Sequence, residues 1–228
     1  MSTTWTDELA VFDLETTGID VETSRIVSAT VAVVDANGTC VERTDWLADP
    51  GVEIPAQASA VHGITTERAR ADGRNATEVV GEIVEALRSL LARGLAVTVY
   101  NAPYDLTLLN REARRHALVP LHSPAPIIDP LVIDKAVDRY RKGKRTLEAA
   151  AQFYGVELLD AHDAGADAIA AGRVAQAIAR RYPERLGAHA AELHGFQIAW
   201  CEEQATSFQE YMRRTKPDFT ASGAWPER

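Results

Sequence analysis

Residues 8–14, ELAVFDL, form a nearly continuous apolar run with carboxylates at its far end, and this run narrows the folds open to the chain. A short run of that kind suits a strand buried on both faces. Two more β-rich stretches follow, residues 25–35 (RIVSATVAVVD) and 39–47 (TCVERTDWL), with Asn37-Gly38 between them. Asn-Gly in that place is a strong hairpin signal, because both residues tolerate positive φ. The chain is therefore expected to open as an antiparallel meander of three strands.

Pro50 and Pro55 mark a loop, and a short helical region is expected through His62 to about Arg70. Residues 77–93 read as an amphipathic helix: Val80, Ile83, Val84, Leu87, Leu90 and Leu91 recur at spacings of three and four. Thr77 is the expected N-cap and Gly94 the stop. A strand at 95–100 and a helix from about 102 to 116 come next, then a strand at 126–129. Helices are expected at 130–139, at 146–154 (stopped by Gly155) and at 163–182. Meander followed by strand–helix alternation implies an α/β fold, a mixed sheet with helices on both faces.

A second long helical pattern covers residues 188–214, with Leu193, Phe196, Trp200, Phe208 and Tyr211 along one side. Pro217 ends it, and the tail to Arg228 is expected to be loosely held. The organisation read from this is a tail (1–7), one domain (8–185) and a C-terminal helical extension with its tail (186–228). Large aromatic residues on that extension suit extra core, or a homo-oligomer or partner contact.

At 228 residues with 46% apolar content, the core needs no disulfide or structural metal to hold it. Cys40 and Cys201 form no CxxC pattern, the N-terminus has no basic region before an apolar stretch, and no apolar run approaches the ~20 residues of a membrane span. A cytoplasmic protein with no membrane partner is expected. The net charge of −9 argues against coating long duplex DNA, which needs a basic face. It is compatible with gripping a strand end beside bound divalent ions.

Three acidic motifs carry the chemistry. Asp13 and Glu15 close the first strand, followed by Thr16-Thr17-Gly18. Alternation along a strand puts both carboxylates on one face, where they repel unless a cation neutralises them. Asn101-Ala102-Pro103-Tyr104-Asp105 follows the fourth strand, which should lie beside the first. Asn101 reads equally as a helix cap, and Asp105 as an acid in a first turn. His162-Asp163-Ala164-Gly165-Ala166-Asp167 opens the helix at 163–182. Asp163 alone reads as a cap and Asp167 as a surface acid, one helical turn apart. Together the motifs supply what two Mg²⁺ or Mn²⁺ ions require, several carboxylate oxygens from separate segments. A neutral histidine can then take the proton of an attacking water.

These motifs resemble those of the DEDDh exonucleases, the group that includes the proofreading epsilon subunit of bacterial DNA polymerase III. FDLETTG is similar to the family's first motif, YNAPYD to the second, and HDAGAD to the third, with His162 and Asp167 at the family's spacing. The resemblance implies a ribonuclease H-like fold with five strands in the order 3-2-1-4-5. It implies Asp13, Glu15, Asp105 and Asp167 as ligands of two divalent ions, and His162 as general base. It also implies that Thr16, Thr17, Gly18, His62, Asn101 and Tyr104 place the terminal nucleotide, and that Asp129 stands where related proteins carry an acid. The implied reaction is 3′→5′ removal of nucleoside 5′-monophosphates, with single-stranded DNA favoured over RNA. A polymerase or another partner would deliver the strand.

Residues 139–145, RYRKGKR, hold five basic side chains in seven, and are expected to meet phosphates of that strand. Three other functions compete with the first reading: an RNA exonuclease, a non-catalytic nucleic-acid or polymerase-associated module, and a ribonuclease H-like endonuclease. The last would leave His162 without a role.

Overall fold

Asp35 fixes the turn between the second and third strands: its carboxylate accepts the N–H groups of Asn37 and Thr39. The computed structural model describes residues 4–158, 163–187 and 189–228, and this turn joins β2 (Ile26–Asp35) to β3 (Cys40–Asp49). β1 (Glu8–Thr16) pairs with the other edge of β2, and both pairings are antiparallel. Helices α1 (Ala56–His62) and α2 (Thr66–Asp72) then lead to β4 (Arg74–Asn75) and α3 (Ala76–Ala92). β5 (Ala96–Thr98), α4 (Ala102–Arg115) and β6 (Ile127–Ile128) follow. The remaining helices are α5 (Pro130–Val137), α6 (Leu147–Tyr154), α7 (Ala164–Arg181), α8 (Pro183–Leu186) and α9 (Ala190–Arg213).

The sheet runs β4-β3-β2-β1-β5-β6, with β5 parallel to β1 and β6 parallel to β5. With β4 set aside, the order is the one the sequence led us to expect. β4 adds two exposed polar residues to the end of β3, too few to show any alternation. The cap of α3 also differs: Asn75, not Thr77, accepts the N–H groups of Thr77 and Glu78.

Residue parity along β1 organises both layers. Ala10, Phe12 and Leu14 enter the core shared with α3 and α4, beside Ile83, Leu87, Leu106 and Leu109. Leu9 and Val11 enter the core shared with α5, α7 and α9, beside Ile133, Val174, Ile178 and Leu193. Asp13 and Glu15 continue this second set, so they emerge on the α7 side of the sheet. α7 can lie this close because of Gly172: a Cβ there would stand 2.6 Å from Val11 Cγ1 and 3.1 Å from Val34 Cγ2.

Two of the five basic side chains in the run at 139–145 are structural, a role the expectation of phosphate contact did not include. Arg141 and Arg145 both bind the Asp134 carboxylate, at 2.5 and 2.8 Å, and the Asp134 side chain is 0% exposed. Arg139 pairs with Glu203 on α9. The spacing of charges in a sequence cannot tell a phosphate contact from a guanidinium turned inward onto a buried acid.

The tail is also held more firmly than expected. Trp225 is only 7% exposed, Glu227 accepts from the Asn110 amide, and the Arg228 N–H donates to Thr107 Oγ1. Of the five residues expected along one side of α9, Leu193 is buried and Trp200 partly so, whereas Phe196, Phe208 and Tyr211 are exposed. The polar Gln197 is buried in their place.

α9 completes the sheet with side chains. β6 is its last strand, and the outward backbone groups of that strand would otherwise lack partners. His194 Nδ1 accepts the Ile127 N–H at 3.0 Å, and Gln197 donates to the Ile127 carbonyl at 2.9 Å. Gln197 Oε1 accepts the Asp129 N–H at 2.6 Å. No helix among the described residues is long and apolar enough to cross a membrane.

Candidate active site

Three carboxylates meet where β1 ends. Ligand oxygens of Asp13, Glu15 and Asp167 lie within 4.8 Å of one another, drawn from the strand and from the first turn of α7. Asp105, in the first turn of α4, lies next to this group. Its Oδ1 accepts the N–H of Leu14, the residue between the first two acids, at 3.2 Å.

The electrostatics are those of a site made for positive charge. Burial raises the Asp13 pKa well above its ordinary value, and Asp105, Glu15, Asp167 and Asp163 push it further in the same direction. Burial, then Asp167 and Asp163, brings Glu15 up to about 8. Burial also raises Asp105, against the opposing hydrogen bond from Leu14. Hard oxygen ligands drawn from separate chain segments, with the neighbouring acids disfavouring ionisation of Asp13, Glu15 and Asp105, fit a hard divalent cation. Asp13, Glu15 and Asp167 would hold it, with Asp105 adjoining.

The surrounding residues fall into distinct roles. Asp163 caps α7, accepting from Gly165 and Ala166, and lies 3.7 Å from the Arg43 guanidinium. That guanidinium occupies the space a Cβ on Gly165 would need. Nothing in the sequence marks Arg43, one of several charged residues in the exposed stretch of β3. His162 lies outside the described residues.

Thr16 and Thr17 turn the chain away from the sheet, the Thr17 N–H donating to the Arg25 carbonyl. Tyr104 reaches from α4 to this turn, its hydroxyl meeting Thr16 Oγ1 and the Gly18 carbonyl. His62 ends α1 and accepts the Ile64 N–H at Nδ1; burial lowers its pKa, while the Thr16 backbone acts the other way. Asn101 adopts the left-handed conformation, φ 66°, with its side chain exposed and making no cap bond. Asp129 takes over that duty, accepting the N–H groups of both Asn101 and Ala102. A cleft of about 800 Å³ between residues 135–140 and α9 shares none of these residues.

A family model described as exonuclease, RNase_T, matches residues 10–175, a span that contains all four carboxylates. The chain belongs to this exonuclease family. A DNA polymerase III subunit epsilon-like protein of Rhodobacter capsulatus is 29% identical over 177 residues, 76% of this chain and 23% of that relative. A DNA polymerase III PolC-type of Streptococcus thermophilus is 29% identical over 165 residues, 72% of this chain and 10% of the relative. The matched region thus spans under a quarter of either relative. Escherichia coli exonuclease I, solved with a dT13 oligonucleotide, shares the fold at a TM-score of 0.67 and 22% identity, over 78% of this chain and 42% of that one. The family likeness agrees with the sheet order and with the ribonuclease H-like arrangement.

Proposed function

We propose that this exonuclease-family chain hydrolyses single-stranded DNA from its 3′ end, releasing nucleoside 5′-monophosphates. The convergence of Asp13, Glu15 and Asp167, with Asp105 seated on the Leu14 N–H, carries this reading. Two divalent ions, Mg²⁺ or Mn²⁺, would supply the positive charge that eases deprotonation of the attacking water and offsets charge on the leaving 3′-oxygen. His162 accepts the proton of that water. The water oxygen adds to phosphorus and the P–O3′ bond breaks. Phosphate stays on the released nucleotide, and the shortened strand keeps a 3′-hydroxyl. Thr16, Thr17, Gly18, His62, Asn101 and Tyr104 place the terminal nucleotide over the carboxylates.

Both sequence relatives carry DNA polymerase III in their names, which favours DNA and supports a polymerase or another delivery partner. The RNase_T family name supports RNA as the second substrate. Incubation of 3′- and 5′-labelled DNA and RNA oligonucleotides of one sequence, with Mg²⁺ or Mn²⁺, separates them. Stepwise shortening from the 3′ end is expected, abolished by EDTA and by Asp13→Ala or His162→Ala. No shortening of any strand by folded, metal-binding protein would overturn the reading.

A further inference from the structure

Asp129 has no place in the reaction just described, yet it is 0% exposed and its carboxylate is fully engaged. Oδ1 accepts the N–H groups of Asn101 and Leu131, at 3.0 and 2.9 Å. Oδ2 accepts the Ala102 N–H at 3.0 Å and the Trp225 indole N–H at 3.4 Å. Its own N–H is taken by Gln197 of α9. Trp225 comes from the C-terminal tail and packs on His194, ring centroids 4.9 Å apart.

The two amides gripped on the α4 side are those that start α4. Asn101 is left-handed, φ 66°, a conformation that asparagine adopts more readily than other side-chain-bearing residues, and its N–H in that conformation is held by Asp129. Asp105 stands one turn further along the same helix, with its oxygen on Leu14 beside Asp13. A rotation or slide of the helix start would carry Asp105 away from the other acids.

We propose that Asp129, held by Gln197 and Trp225, is a positioning residue for Asp105, so that the segment beyond the family match helps set the geometry of the metal ligands. The inference rests on the carboxylates being a cation site, as in the function proposed above.

The test uses the full chain with Asp129→Asn, Trp225→Phe and Gln197→Met. Mn²⁺ binding is measured by calorimetry without nucleic acid, alongside kcat and KM on a DNA oligonucleotide. Asparagine keeps the shape of Asp129 but turns an amide nitrogen toward backbone donors. Phenylalanine keeps most of the ring of Trp225 and loses only its N–H. Asp129→Asn is expected to weaken Mn²⁺ binding and lower kcat by about 10-fold, the low end of what losing a group bonded directly to a metal ligand costs, because Asp129 acts on Asp105 through the helix start. Trp225→Phe and Gln197→Met should act in the same direction to a smaller extent, with KM for DNA little changed in each.

Folded variants that bind Mn²⁺ and turn over like the wild type would overturn the proposal, whatever their Tm. Should Asp129→Asn fail to fold, the other two decide. Wild-type protein that binds Mn²⁺ but leaves DNA intact would count against the proposed reaction alone, and the Mn²⁺ series would still decide this inference.

Discussion

Tyr104 Oη lies 2.6 Å from Thr16 Oγ1, and both hydroxyls reach the Gly18 carbonyl oxygen, at 2.5 and 2.8 Å. The three oxygens form a closed triangle in which two hydroxyl protons serve three short contacts. The second acidic motif thereby holds the turn that follows the first.

Tyr104→Phe should loosen that turn while leaving the carboxylates in place. A hydrogen bond of this kind contributes about 1 kcal/mol. The expected result is a KM for oligonucleotide raised about fivefold, with kcat reduced less, in steady-state kinetics on labelled DNA. An unchanged KM would show that the turn does not touch substrate.

Metal-free stability should fall as pH rises. Burial and the neighbouring acids raise Glu15 from 4.5 to about 8 on folding. Between those values the native state holds a proton that the unfolded chain has released, so stability declines across the window. Scanning fluorimetry in EDTA should show Tm dropping from pH 5 toward pH 8, less steeply in Glu15→Gln. Mn²⁺ should raise Tm more at pH 8 than at pH 6. A metal-free Tm that climbs over this range in wild type, unaffected by the substitution, would contradict the assignment.

Asp167→Asn removes one of the three converging carboxylates. Activity should fall by more than the roughly 10–100-fold typical of losing an outer partner. Tm in EDTA should rise, since one repelling charge is gone. This opposition of activity and stability, read by the same two assays, separates a metal ligand from a structural acid.

Asp134→Ala strands two largely buried guanidiniums, Arg141 and Arg145. Removing one partner of a buried ion pair costs about 3–5 kcal/mol, so denaturant unfolding should show a loss near the lower figure. Lys142→Ala with Lys144→Ala should leave stability within about 0.5 kcal/mol, as for exposed positions elsewhere.

Gly172→Ala would drive a methyl group into Val11 Cγ1. Overpacking of this kind costs about 1–3 kcal/mol. Because α7 also carries Asp167, weaker Mn²⁺ binding should accompany the lower Tm, and calorimetry checks whether the two change together.

Local pattern makes much of this legible in the sequence. The apolar run at 8–14, Asn37-Gly38 and the heptad-like spacing of α3 each depend on neighbours in sequence, and each marked a real element. The carboxylates were visible because Asp13 and Glu15 follow an apolar strand, a place where acids are costly without a partner. The distant partners of Asp129 and Arg43 were not visible: Asp129 holds the Asn101 and Ala102 N–H groups and the Trp225 indole, and Arg43 reaches Asp163, all far away in the chain. The same limit explains the RYRKGKR run: its partner, Asp134, looks like any acid on an amphipathic helix. Trp225 near the end of a polar tail gave no periodicity to read, although it covers a buried carboxylate.

The side-chain cap on β6 bears on where this molecule can be cut. Trimming the chain to residues 10–175, the span it shares with its family, would remove His194 and Gln197 and bare the Ile127 backbone. A naked strand edge is a template for pairing with a second copy. The smallest well-behaved fragment should therefore run past α9, so the unit that folds is longer than the unit that is recognised.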